Sequence, residues 1–228
     1  MSQNILDRMI DYEDSSVNLH LIAPEFIERV AELEVIKYLA NQDWGRQGSF
    51  VDAGAHIGFY SVYMCQLYPK VFAFEPSPFQ RGYLERNKVS NDLKNLTVFS
   101  SALGETRSTA KLYVMGRSGG SNTLCKEVAS VGDPMSVIDV EVLSLDSLRS
   151  LISPVSVIKI DVEGLEMELL RGAKETIVED GPMIVCEVWQ SEIRRANFEA
   201  FLNEINYCSD FPFDNFPEIS ICLPKMGS

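Results

Sequence analysis

The run Phe50-Val-Asp-Ala-Gly-Ala-His-Ile-Gly-Phe59 decides the fold once it is set beside Val71-Phe-Ala-Phe-Glu-Pro-Ser77. Each is an apolar stretch that ends in an acid. The first ends at Asp52 and enters a turn with Gly54 and Gly58; the second ends at Glu75. This is the pattern of two parallel strands delivering a glycine turn and a ribose-gripping acid to one sheet edge, with roughly 20 residues between them. A dinucleotide fold would carry G-x-G-x-x-G, so that a pyrophosphate could press on bare backbone at a helix N-terminus. Here the pattern is D-x-G-x-H-x-G, with His56 where a phosphate would need that backbone. The ligand that fits is a nucleoside without phosphates. S-adenosyl-L-methionine is one, and its carboxylate can still use the helix N-terminus.

Outward from this pair, the chain reads as strands alternating with helices. Strands are expected over 49–54, 70–75, 96–100, 155–161 and 183–188, and helices over 56–67, 78–91, 164–171, 173–179 and 191–205. Ser77-Pro-Phe-Gln80 has the form of a capping box with proline at the first helical position. Such alternation implies right-handed crossovers and a doubly wound, mostly parallel sheet. The rhythm breaks at 105–150, where 110–114 and 139–143 alternate like an inserted antiparallel hairpin. The segment between them, about 115–138, is a flap over the pocket or a disordered loop. The aromatic tail, 207–224, reads as a final antiparallel pair. Apolar residues at helical spacing from Phe26 to Leu39 make 1–45 an N-terminal helical segment on a single domain, whose core is 46–228.

Bulk properties exclude several functions. The chain has 228 residues and a net charge of −13, with no basic block, which argues against a nucleic-acid partner. The acidity suits either solubility or a pocket for a sulfonium cation. No apolar run nears the roughly 20 residues of a membrane helix, and the first residues lack the features of a signal peptide. The five cysteines are scattered without C-x-x-C spacing, so the expected location is the cytoplasm. No His/Cys/carboxylate cluster has zinc spacing.

The ordered motifs Val51-Asp-Ala-Gly-Ala-His-Ile-Gly58, Phe74-Glu-Pro-Ser77, Ser101-Ala-Leu-Gly104, Lys159-Ile-Asp-Val-Glu-Gly-Leu-Glu166 and Leu170-Arg-Gly-Ala173 resemble those of the FkbM-type methyltransferases, S-adenosylmethionine-dependent enzymes. The resemblance implies a Rossmann-like sheet with an antiparallel C-terminal strand. It also implies O-methyl transfer to a hydroxyl of a sugar, glycan or natural product, a small-molecule or glycan acceptor that the motifs do not name. By the same resemblance Asp52, Gly54 and Gly58 lie under the methionine moiety, Glu75 and Pro76 meet the ribose, and Ser101 and Ala102 flank the adenine. His56 stands where the family often has Asn. Asp161 lies where donor and acceptor meet and is the expected base, with Glu163 and Glu187 as the other catalytic candidates. The resemblance to the FkbM motif, not to a metal-binding one, implies activity without a metal. The alternatives are a non-catalytic cofactor-binding or partner protein, and a nicotinamide-dependent oxidoreductase. Oligomeric state has no signature in the chain.

Overall fold

Five hydrophobic runs, each too short for a helix and rich in β-branched or aromatic residues, build the parallel part of the central sheet. The computed structural model describes residues 7–13, 18–24, 32–115, 122–130, 132–188 and 191–225. It begins with β1 (Asp7–Glu13), β2 (Asn18–Pro24) and α1 (Leu33–Asn41). The alternating half follows as β3 (Ser49–Ala53), α2 (Phe59–Met64), β4 (Lys70–Phe74), α3 (Pro78–Ser90) and β5 (Leu96–Phe99). An insertion holds β6 (Ala102–Leu103), β7 (Ser108–Val114), α4 (Lys126–Ala129), β8 (Ser136–Leu143) and α5 (Arg149–Ile152). Alternation resumes with β9 (Val155–Ile160), α6 (Glu166–Gly172), α7 (Lys174–Asp180), β10 (Met183–Glu187) and α8 (Glu192–Glu204), and closes with β11 (Tyr207–Asp210) and β12 (Ile219–Pro224).

The main sheet has the order β11-β12-β10-β9-β3-β4-β5. Strands β10, β9, β3, β4 and β5 run parallel to one another, while β12 lies antiparallel to β10 and β11. This is the mixed, mostly parallel α/β sheet that the motifs imply, with its antiparallel C-terminal strand. Because side chains alternate across a strand, the sheet has two buried faces. Phe50, Val71, Ala73, Val157 and Val185 pack with α1, α2 and α3 on one. Val51, Ala53, Phe72, Phe74, Ile158 and Ile160 pack with α6, α7 and α8 on the other. Each fully buried large side chain, such as Phe50 or Phe74, contributes about 1.5–3 kcal/mol of transfer free energy.

The structure departs from the sequence reading at three places. The N-terminal segment is not helical throughout: β1 and β2 form an antiparallel hairpin ahead of α1. Asn87 of α3 pins it, accepting the Ile22 N–H at 2.6 Å and donating to the Ile22 carbonyl at 3.0 Å. Asp7-Arg-Met-Ile-Asp-Tyr-Glu13 and Asn18-Leu-His-Leu-Ile-Ala-Pro24 mix polar and apolar residues without a sustained alternation, which leaves little periodicity to read. The expected capping box is not closed either. Ser77 stands at the N-cap of α3 with Pro78 behind it, but its hydroxyl donates to the Gln80 side chain, not to the helix backbone. Third, the insertion is a three-stranded sheet, β6-β8-β7, rather than a hairpin alone. Of the proposed flap, 116–121 and 131 lie outside the described residues. Of its remainder, Thr123 is tied to Tyr113 by reciprocal backbone bonds of 2.8 and 3.2 Å.

A candidate active site at the carboxyl edge of the sheet

Parallel strands that end together leave their turns on one rim, and there a cavity of about 360 Å³ opens. Gly54, Ala55 and His56 come from the turn after β3, Glu75 and Pro76 from the end of β4, and Asp161, Val162 and Glu163 from the turn after β9. Glu187 closes β10, and the insertion adds Ala102, Leu103, Leu112, Asn122 and Leu124.

The turn after β3 works because of Gly54. It adopts φ +77, and a Cβ there would lie 1.8 Å from the Asp161 carbonyl oxygen, so the turns after β3 and β9 touch backbone to backbone. His56 is also left-handed, at φ +53. That conformation aims its N–H at Glu75 Oε2, 2.8 Å away, while Glu75 Oε1 accepts the Ser77 N–H at the same distance. A carboxylate offers about four acceptor positions, so two remain for a ligand. Burial pushes the Glu75 carboxyl up to about 7, against the lowering effect of its two backbone donors.

Opposite Glu75, three carboxyls have oxygens within 4.8 Å of one another: Asp161, Glu163 and Glu187. Their environments set them apart. Burial alone would raise Asp161, but Lys159 and a hydrogen bond from Glu187 outweigh it and hold Asp161 below the usual carboxylate range. Glu187 is the protonated partner, pushed up to about 9 by burial and by the Asp161 charge. Glu163 is raised to about 7 by burial, then by Asp161 and Glu166. Glu163 sits at φ +53 and Gly164 at φ +105. Their tight turn is clamped by Thr123, whose hydroxyl donates to the Glu163 carbonyl at 2.6 Å. The N–H of Gly164 goes to Glu166 at 2.6 Å, so Glu166 holds the turn ahead of α6, and Glu163 lines the cavity.

Of the cofactor residues expected from sequence, Gly54, His56, Glu75, Pro76, Ala102 and Asp161 line the cavity. Asp52, Gly58 and Ser101 stand behind its wall. Asp52 is fully buried, accepts the Ser61 hydroxyl at 2.5 Å and faces Lys159. Gly58, at φ +101, starts α2. The Ser101 hydroxyl is buried without a hydrogen-bond partner among the described residues. The catalytic candidates Asp161, Glu163 and Glu187 all reach the cavity. Two charged lining residues were missed. Lys159 had a signal, a lone lysine in a β-branched run. Glu32, ahead of α1, had none; it comes in through tertiary packing and accepts the Tyr60 hydroxyl at 2.5 Å.

A sequence-family model described as the methyltransferase FkbM domain matches residues 52–211. The chain is 32% identical over 184 residues to the protein named methyltransferase sdnD of Sordaria araneosa, an alignment that covers 68% of this chain and 71% of that one. It is 28% identical over 141 residues to methyltransferase 1 of Beauveria bassiana (strain ARSEF 2860), covering 54% and 57%. Among solved structures, a methyltransferase FkbM from Methylobacillus flagellatus KT gives a TM-score of 0.56 at 18% identity over 78% of this chain. The match spans 44% of that longer chain. The precorrin-6y C5,15-methyltransferase of Geobacter metallireducens GS-15 gives 0.54 at 13% identity, over 86% and 90%. The M. jannaschii TYW2, solved in complex with AdoMet, gives 0.50 at 11%, over 98% and 86%. These structural likenesses concern the fold.

Proposed function

The chain belongs to the FkbM methyltransferase family, and from that premise we propose that its cavity carries out S-adenosylmethionine-dependent O-methyl transfer to a hydroxyl of a sugar, glycan or natural product. The observation that carries the reading is Glu75. An acid 6% exposed, held by two backbone N–H groups and turned into a cavity at the carboxyl edge, is the arrangement that grips vicinal hydroxyls of a ribose. The other residues fit the same ligand. Gly54 lets the turns after β3 and β9 meet at the cavity wall, the Ser101 hydroxyl, without a hydrogen-bond partner among the described residues, neighbours Ala102 on that wall, and the acids around Asp161 suit a sulfonium cation. The His56 N–H is committed to Glu75, which weighs against a pyrophosphate there.

When bound, the cofactor supplies a methyl group already activated on sulfonium. The protein's part is then to align the acceptor, to exclude water and to take a proton from the acceptor hydroxyl. Alignment alone contributes up to roughly 7–11 kcal/mol in favourable systems. For the proton, a base is most effective when its pKa lies near the working pH. Glu163, near 7, meets that condition better than Asp161, which Lys159 holds ionised and weakly basic. In this reading Asp161 faces the donor as a fixed anion, Glu187 keeps it company by sharing its proton, and Glu163 receives the acceptor's proton. All five cysteines are free, in keeping with a reducing compartment such as the cytoplasm; no helix among the described residues is long and apolar enough to cross a membrane.

The test is a panel of hydroxylated sugars, glycans and natural products incubated with methyl-labelled S-adenosylmethionine. A product labelled on oxygen is expected. Label appearing only on nitrogen or carbon across the panel would refute the O-methyl assignment.

A further inference from the structure

Every side chain of β9 is buried, and one of them is a lysine. A buried ammonium is costly unless it is paired, and register supplies the partners. Lys159 is the Cα partner of Asp52 on β3, and Asp161, two residues on, shares its face of the strand. The Lys159 Nζ donates to the Gly54 carbonyl at 3.1 Å and to Asp161 Oδ2 at 3.3 Å, and lies 3.6 Å from Asp52 Oδ1. The ring of Tyr60 covers it at 5.0 Å, and Tyr60 in turn holds Glu32. Asp52 Oδ1 has no hydrogen-bond partner among the described residues, so the ammonium is its counter-charge. From the other side Asp161 is faced by Glu187 of β10, by Glu163 and by His56.

We propose that Lys159 is a positioning residue, which locks the Gly54 carbonyl to the Asp161 carboxylate across the β3–β9 seam and so fixes the floor on which methyl donor and acceptor meet. This rests on the reading of the cavity as the donor site. Lys159 touches both turns that line the cavity, the left-handed Gly54 and the start of the Asp161–Gly164 loop. Take the ammonium away and both turns lose a tether, while Asp52 and Asp161 are left as neighbouring anions with nothing between them. The plainer role, a counter-ion for Asp52 alone, would leave Asp161 and the ligand unaffected.

The experiment uses the full chain with Lys159→Met, close in shape and neutral. The ¹³Cγ shift of Asp161 is followed from pH 5 to pH 8 without ligand, and S-adenosylhomocysteine is titrated calorimetrically. In the wild type Asp161 stays ionised throughout. In Lys159→Met it takes up a proton within that range, and affinity falls roughly tenfold or more, the worth of a lost charge-assisted contact. Lys159→Arg restores the ionised Asp161 signal. If Lys159→Met does not fold, Asp52→Asn with Lys159→Met removes the stranded buried anion and is read in the same way. A folded variant with the wild-type Asp161 shift, or one with an altered shift and unchanged affinity, overturns the proposal. A wild type that does not bind S-adenosylhomocysteine sinks the donor-site reading instead, and the Asp161 signal then decides whether Lys159 positions it.

Discussion

Replacing Glu75 by Gln should change how the stability of the ligand-free protein depends on pH. Glu75 is 6% exposed, and its carboxyl is raised from the usual 4.5 to about 7 by burial. Between those two values the folded protein holds a proton that the unfolded chain has released. The stability that Glu75 contributes is therefore complete below pH 4.5 and is lost as pH rises through 7. At about 1.4 kcal/mol per pH unit, the loss between pH 5 and pH 8 comes to about 2–3 kcal/mol. Glu163, also raised to about 7, and Glu187, raised to about 9, push the wild type in the same direction, so the variant is the control that isolates Glu75. A Gln side chain keeps one acceptor oxygen but sets an NH₂ against one of the two backbone donors, His56 or Ser77. At pH 5 that mismatch should make Glu75→Gln less stable by about 1–3 kcal/mol. At pH 8, where the wild type has lost its Glu75 proton, the two should be level or the variant ahead. Urea unfolding at pH 5, 6, 7 and 8 reads the difference. A gap that stays constant within about 0.5 kcal/mol over that range would refute the argument that Glu75 is a proton-holding buried acid.

Three further outcomes follow from the same geometry. Gly54→Ala should lose more than about 3 kcal/mol, since the left-handed conformation alone costs about 1–2 and the clash with the Asp161 carbonyl is between backbones; Gly82→Ala, with nothing within 4 Å of its Cβ, should gain about 0.5–1 kcal/mol, and equal effects in urea titrations would contradict this. Glu163→Gln should leave S-adenosylhomocysteine affinity within about threefold and lower turnover by about 10²–10⁴, while turnover close to wild type would remove Glu163 as the base. Turnover should survive EDTA, because Asp161-Val-Glu-Gly164 resembles the FkbM motif and not a metal-binding one, and Lys159 already pairs with Asp161 at 3.3 Å; activity abolished by chelation and restored by Mg²⁺ would overturn that expectation.

How far the sequence could be read depended on the range of the interactions involved. Asp52, Glu75, Asp161 and Glu187 stood out because each terminates an apolar run; a parallel sheet places the last three on one rim, while Asp52 lies buried within β3 behind it. Gly54 stood out because a left-handed turn leaves a glycine. Lys159 carries a fainter signal: a lysine in the middle of Val-Ile-Lys-Ile has to find a counter-charge, but only the β3–β9 register shows that the counter-charge is Asp52. Glu32 was out of reach of any local rule. Its place in the cavity depends on α1 docking against α2 and on the Tyr60 hydroxyl. The hairpin β1–β2 was missed for a related reason, since what fixes it is Asn87, 65 residues away from Ile22. The division of labour among the three carboxyls was equally hidden, because burial, Lys159 and a shared proton separate them, and spacing along the chain does not.

Calorimetric titration of the ligand-free protein with S-adenosylhomocysteine, run beside Glu75→Ala, asks whether the cavity is the donor site and Glu75 its ribose ligand. One site is expected in the wild type and, in Glu75→Ala, a loss of about 1.5–3 kcal/mol from the missing charge-assisted bonds, which is roughly 10- to 150-fold in affinity. No binding by the wild type, or the same affinity in both proteins, would contradict that expectation.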